Sequence, residues 1–567
     1  MKPNRRMFVQ TLGAGALGAA LPSVAEGRQA APAPKAAAPA AAGGPVLEVG
    51  DTIAVADTAY GKVRGYRLRG IYYFLGMPYG ADTSGPNRFM PPQKPKPWTD
   101  VFPALYYGPV SPQNMENRYR SPYGAFRDHW NYSDATEDCL RINVFTPALK
   151  DGKKRPVMFW IHGGGFTAGN GIEHDGYNGE NFARFGDAVF CSINHRLGPV
   201  GFCNLAGVGG ATFAASGNVG MLDIVAALEW VRDNIASFGG DPTNVTIMGQ
   251  SGGGAKVCTL AAMPSAKGLF HKAVVLSGAS VRSGEKDYSE KLGSYVLKEA
   301  GLTPADIGKL QEMPWKQFYE LATTAQQKLA KELAASGPAT GMRFGFSPSV
   351  DGTILPQHPF SPEPAPTAAG VPMMICSTLN EQAPAWTDAK LMDITLPEVA
   401  ERLKQRAGFG AGFGDKAMDV VQAYAKAFPD KKPVEIWSMV SSNRQGVVTL
   451  ADAKVKQPAP VFVAWFSWQP PLFDGRIGAF HCVDICFWYY NTDVMLTHTG
   501  GGPRPKALSR KMASSLLQFM KTGDPNGPGL TPWPKYGAAK GEVLVLDNVC
   551  VAKNDPDREA RKALPRT

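Results

Sequence analysis

The stretch Val245-Thr-Ile-Met-Gly249-Gln250-Ser251-Gly252-Gly253-Gly254 decides the fold. Val245 to Met248 is a short apolar β-rich run, and residues 254–262 are mostly small and long enough for a helix. Between them stands Gly-x-Ser-x-Gly. A strand that turns sharply into a helix needs glycines, which tolerate strain and close backbone approach, and such a turn leaves the serine oxygen exposed. The pattern alone is weak: with 63 glycines in 567 residues, chance supplies on the order of a few tenths of a match per chain, so the strand-turn-helix context carries the reading.

Working outward, Val157–Ile161, Ala188–Ile193, Ala273–Leu276, Val371–Ile375 and Val461–Phe466 also read as buried strands, and Leu222–Ile235 and Ala255–Ala262 as helices. Strands alternating with helices predict a central, mostly parallel twisted sheet covered by helices on both faces. Earlier runs near Thr52–Val55, Lys62–Tyr66 and Leu140–Phe145 alternate apolar with polar and predict an antiparallel start. Residues 282–350 and 388–457 are helical and charged, which predicts lobes above the sheet edge. No repeat and no second linker interrupts this region, so residues 46–567 read as one domain.

The ends of four of these strands supply the chemistry. His162-Gly163-Gly164-Gly165-Phe166 follows Val157–Ile161, and a His before three glycines is expected by chance only about once in a hundred such chains. Serial glycines let backbone amides point into a cavity; with the amide after the serine they bind a tetrahedral oxyanion, which makes Gly164, Gly165 and Gly252 the expected donors. A serine hydroxyl needs a histidine base held in one tautomer by a carboxylate. Around such an elbow the order is Ser, acid, His. His271, His358, His481 and His498 follow Ser251; His481 is chosen, with His498 as fallback. Glu381, just beyond Val371–Ile375, is the acid, and Asp351, in the turn signature Asp351-Gly352, is its competitor.

Composition excludes other classes. At 44% hydrophobic and 19% charged the chain buries a sizeable core. Three of its ten net positive charges, Lys2, Arg5 and Arg6, lie in an export-signal pattern, leaving +7 without a basic run or an aromatic-interleaved stripe, so no nucleic-acid partner is expected. Arg5-Arg6 before an apolar Gly/Ala/Leu stretch and Ser23-Val24-Ala25 resembles a twin-arginine signal over residues 1–25, with an Ala/Pro-rich linker at 26–45; the expected location is periplasmic or secreted. Gly13-x-Gly15-x-x-Gly18 lies inside that signal with no preceding strand and is rejected as a dinucleotide fingerprint. No segment is long and apolar enough to span a bilayer. Eight cysteines without a C-x-x-C pair give no metal site, and a monomer is the default.

These motifs together resemble the type B carboxylesterases of the α/β-hydrolase fold, in their bacterial para-nitrobenzyl-esterase-like branch. The resemblance runs from about Asp51 to the C-terminus through Tyr60-Gly-Lys-Val-Arg-Gly65, Phe74-Leu-Gly-Met-Pro-Tyr79, Glu137-Asp-Cys-Leu140, Asn194-His-Arg-Leu-Gly198, Phe238-Gly-Gly-Asp-Pro242, Thr522-Gly-Asp-Pro-Asn526 and Trp533-Pro534. It implies a serine hydrolase of apolar or aryl carboxylic esters, with Glu as triad acid, an active-site gorge, a small-molecule ester as partner, and no metal or cofactor. An amidase, thioesterase or acyltransferase on the same triad is the alternative, and a non-catalytic binding protein the remote one. Family members typically carry Glu and Ala where this chain has Gln250 and Gly252, so a cationic substrate is disfavoured. The cysteine at 139 has no upstream partner, so packing is expected to hold that loop. Trp130, Phe166 and Gln250 are candidate substrate contacts.

Overall fold

Seven parallel strands form the centre of the computed structural model, which describes residues 45–114, 134–335, 345–408 and 410–565. We number the strands of the main sheet in chain order: β1 Leu47–Glu48, β2 Tyr66–Leu68, β3 Ile71–Pro78, β4 Arg141–Thr146, β5 Arg155–Ile161, β6 Val189–Ile193, β7 Gly240–Gln250, β8 Lys272–Leu276, β9 Met373–Thr378, β10 Val461–Phe466, β11 Glu542–Leu546 and β12 Val551–Asn554. They lie in the order β1-β2-β3-β4-β6-β5-β7-β8-β9-β10-β11-β12. From β6 to β11 every neighbour is parallel, while β1 to β4 and the outermost β12 pair antiparallel. This is the expected antiparallel start and parallel centre of an α/β-hydrolase sheet, but of the early runs only Leu140–Phe145 corresponds to one of its strands, β4: Val55–Thr58 and Gly61–Arg64 pair antiparallel in a separate three-stranded sheet with Phe102–Pro103.

Every residue of β5, β6, β9 and β10 is buried. Successive strand residues point to opposite faces, so continuous burial means both faces are covered, as parallel sheets require. The helix Gly252–Leu260 contacts β5, β7 and β8, and Pro503–Thr522 contacts β5 and β7.

The two lobes are helical as their patterns predict. Trp315–Ala335 buries Phe318, Ala322, Ala325 and Leu329, one stripe at steps of three and four. Leu396–Gln405 begins with a capping box in which Thr395 and Glu398 satisfy each other's backbone amides.

Two buried ion pairs hold loops near the sheet's carboxyl edge. The Arg196 fork meets Asp223 at 2.6 and 2.9 Å, and a third nitrogen donates to the Met90 carbonyl at 2.8 Å. Arg88 grips Glu137 through two bonds of 2.6 Å. The loop at Glu137-Asp-Cys139 is therefore fastened by an ion pair as well as by packing, a device the sequence reading did not include. All eight cysteines are free thiols, and Cys482 and Cys486, four residues apart, form no disulfide. Among the described residues, no single helix is long and apolar enough to cross a membrane.

Candidate active site

The strand order reverses at β5: β6 lies on one side of it and β7 on the other. Loops leaving the carboxyl ends of strands at such a reversal diverge and open a crevice. The two motifs of the sequence leave there. β5 runs into His162–Phe166, β7 runs into Ser251, and Gly249 pairs with Ile161 across the two strands.

Ser251 has φ 57° and ψ −124°, a conformation that costs an L-residue about 1–3 kcal/mol. Its neighbours hold it there. The Ser251 amide donates to the Leu276 carbonyl at 2.8 Å, and its carbonyl accepts from Ala255 at 3.1 Å as the helix begins. Glycine is required on either side by close approach: a Cβ on Gly249 would lie 2.9 Å from Gly253 Cα, and one on Gly253 would lie 2.8 Å from the His162 carbonyl oxygen. The elbow thus packs directly against the start of the glycine loop.

In that loop Gly164 and Gly165 have φ of 86° and 64°, the left-handed region, and both are exposed. Among the described residues, nothing accepts a hydrogen bond from the amides of Gly164, Gly165 or Gly252. The Gly252 amide also opens the helix Gly252–Leu260, where the helix dipole favours negative charge. A Cβ on Gly252 would stand 2.5 Å from the Gly165 carbonyl carbon. The loop occupies space that the family's usual alanine methyl would fill.

β9 and β10 are parallel neighbours, and their following loops bring acid and base together. Glu381 and Phe480 form a bridge; the His481 amide donates to the Glu381 carbonyl at 2.8 Å, and the Glu381 amide to Ala479 at 3.2 Å. Asn380 braces the pair, accepting from the Ala479 amide at 2.8 Å and donating to Ser438 at 2.8 Å. The side chains then meet: His481 Nδ1 donates to Glu381 Oε2, and Glu381 Oε1 accepts from the Thr378 amide at 3.2 Å. A carboxylate on Nδ1 fixes the tautomer and leaves Nε2 as the acceptor. Burial works against the imidazolium, but the Cys482 thiol and the Glu381 carboxylate outweigh it and hold the His481 pKa above the ordinary range. Gln250, buried beside Ser251, brings its amide nitrogen 3.2 Å from Nε2 and 3.4 Å from Nδ1. The base thus stands against the residue that precedes the elbow serine.

The alternatives lie elsewhere. His498 is buried with its ring edge-on to Phe480 at 5.1 Å, and Asp351 caps its own turn, accepting from Thr353 and Leu355 amides at 2.8 and 3.0 Å. Of the candidate substrate contacts, Trp130 lies outside the described residues. Phe166 packs edge-on against Phe202 at 5.6 Å, so its ring supports the loop from behind. Gln250 turns to the base. Sequence reading missed Lys256, buried on the elbow helix, whose Nζ donates to the His162 carbonyl at 3.1 Å. Its signal was a lone charge in an otherwise uncharged helix.

A model described as the carboxylesterase family matches residues 53–562. The chain is 32% identical over 515 residues to the para-nitrobenzyl esterase of Bacillus subtilis (strain 168), covering 90% of this chain and 98% of that protein. It is 31% identical over 507 residues to the phenmedipham hydrolase of Pseudarthrobacter oxydans, covering 87% and 94%. Among solved structures, an esterase from anaerobic Clostridium hathewayi that can hydrolyze aliphatic aromatic polyesters superposes with a TM-score of 0.73 at 32% identity, covering 90% of this chain and 98% of that one.

Proposed function

The chain belongs to the carboxylesterase family and is a carboxylic ester hydrolase, and from that premise we propose that it works through an acyl-enzyme on Ser251. His481 Nε2 takes the Ser251 proton as the oxygen attacks the ester carbonyl, while Glu381 steadies the imidazolium through Nδ1. The amides of Gly164, Gly165 and Gly252 bind the oxyanion of the tetrahedral intermediate. The intermediate collapses with His481 protonating the departing alcohol. A water, deprotonated by the same base, then attacks the acyl carbonyl and returns Ser251 to its resting state.

The observation that carries this reading is the Glu381 and His481 pair held against Gln250, next to a serine on a strained elbow. The substrates we infer are neutral esters with apolar or aryl groups. An amide rather than a carboxylate at position 250 gives a cation nothing to pair with there, and the similar proteins named for para-nitrobenzyl esters and aliphatic aromatic polyesters support the aryl preference. Export by a twin-arginine route to the periplasm or beyond is inferred from Arg5-Arg6 and the apolar stretch after them.

The test compares the purified chain with Ser251→Ala on p-nitrophenyl acetate, butyrate and octanoate, alongside labelling by a fluorophosphonate. Turnover and labelling are expected only with Ser251 present. Equal labelling of the alanine variant would refute the assignment of the nucleophile.

A further inference from the structure

Lys256 is a fully buried cation with no place in the mechanism above. It lies five residues after Ser251, in the helix Gly252–Leu260, which carries no other charge. Its Nζ donates to the His162 carbonyl at 3.1 Å and stands 5.7 Å from the centre of the Phe166 ring. His162 and Phe166 are the first and last residues of the glycine loop, so a single side chain touches both ends of the segment that carries Gly164 and Gly165.

The surroundings keep a cation at that position rather than elsewhere. The rings of His162 and His195 stack at 4.8 Å, and burial together with Lys256 holds the His195 pKa well below its usual value, so His195 is neutral. Buried Glu173 favours the Lys256 ammonium, although burial pulls the amine down to about 7. A buried amine so poorly balanced is a cost to the fold. Such costs are retained where they serve a site.

We propose that Lys256 is a positioning residue of the oxyanion loop, tying the His162 carbonyl and the Phe166 ring to the helix that carries Ser251 and adding positive potential behind the loop amides. This rests on the assignment of Gly164, Gly165 and Gly252 as oxyanion donors. Donors must sit about 2.7–3.1 Å from the oxyanion to act, and losing one outright costs about 10²–10³ in kcat. Loosening the loop acts on the same quantity more weakly, and it acts on the transition state rather than on ester binding.

The experiment is Lys256→Met, which keeps the stem and removes the ammonium, with Phe166→Leu as a second variant that alters only the partly exposed end of the clamp. Each is assayed for kcat and KM on p-nitrophenyl butyrate, for inhibition by an aliphatic trifluoromethyl ketone, whose serine adduct is an oxyanion, and for melting temperature. For Lys256→Met the expected result is a fall in kcat of about ten- to a hundredfold, KM within about threefold, and inhibition weakened in parallel with kcat/KM. Phe166→Leu shows the same pattern at about three- to tenfold, so a Lys256→Met chain that did not fold would leave the clamp testable. A purely structural lysine predicts the reverse: a lower melting temperature with kcat and ketone affinity unchanged in the folded enzyme, which would overturn the proposal. Full activity in Ser251→Ala would instead overturn the reading on which it rests.

Discussion

Gln250→Glu changes one buried atom pair at the base and makes a calculable demand on the pH profile. In the wild type the Gln250 amide nitrogen lies 3.2 Å from His481 Nε2 and 3.4 Å from Nδ1, against the ring of the base that Glu381 engages through Nδ1. The variant puts a carboxylate that favours the imidazolium in place of a neutral amide, which raises the His481 pKa. At an effective dielectric of about 20, unit charges at this separation attract by roughly 5 kcal/mol, an upper figure because the new carboxylate is itself desolvated. A rise of about one to three pKa units is the expected remainder. The working form is the neutral base, so the acid limb of kcat/KM moves to higher pH by that amount. One unit below the wild-type midpoint, activity falls a further tenfold or so relative to wild type for a one-unit rise and up to about a thousandfold for a rise of about three, and on the alkaline plateau it changes by less than about threefold. The assay is kcat/KM for p-nitrophenyl butyrate between about pH 5 and 11, corrected for spontaneous hydrolysis, with circular dichroism to establish folding. A folded variant whose acid midpoint stays within about 0.3 units of wild type would refute the contact between Gln250 and the catalytic base.

Three further outcomes follow from the geometry. Gly252→Ala places a methyl 2.5 Å from the Gly165 carbonyl carbon, so the oxyanion loop is displaced; kcat should fall at least about tenfold and urea denaturation should show about 1–3 kcal/mol of lost stability. Arg196→Met strands Asp223, which is fully buried, and should cost about 3–5 kcal/mol in the same experiment, part of it recovered in the double variant with Asp223→Leu. Lys256 titrates near 7 in the folded chain against an ordinary 10.5, so between those values the unfolded state binds more protons and the wild type gains stability as pH rises. Lys256→Met lacks that contribution, and its melting temperature should lose ground against wild type steadily from pH 7 to pH 10.

Much of the site was legible because its chemistry sits immediately beyond strands that announce themselves. Ser251, Gly164 and Gly165 follow strongly β-forming runs, and once β5 and β7 are placed side by side the loops after them must share a crevice. Glu381 was legible more roughly: the strand before it begins at Met373, two residues later than its apolar run suggests, and reaches Thr378. β3 was not read as a strand, because Ile71–Pro78 contains Gly76, whose close approach to the Gly108 backbone interrupts the ladder with β4. Contacts between distant segments were invisible altogether. Nothing in the spacing of Arg88 and Glu137, or of Gln250 and His481, says that these side chains meet, since those distances are set by loop paths and not by periodicity.

The departure from the family pattern at Gly252 is best understood with Lys256. Without a methyl at 252, the Gly165 backbone settles onto the elbow helix; one turn further along the same helix, Lys256 reaches the His162 carbonyl and the Phe166 ring. A loop of serial glycines has few side chains with which to fix itself, and its ordering has a high conformational cost. Close backbone packing at Gly252 and a buried ammonium behind the loop oppose that cost from two sides. On this argument the two positions are coupled: the loss in Gly252→Ala and the loss in Lys256→Met should be markedly less than additive in kcat, because either change alone already releases the same loop.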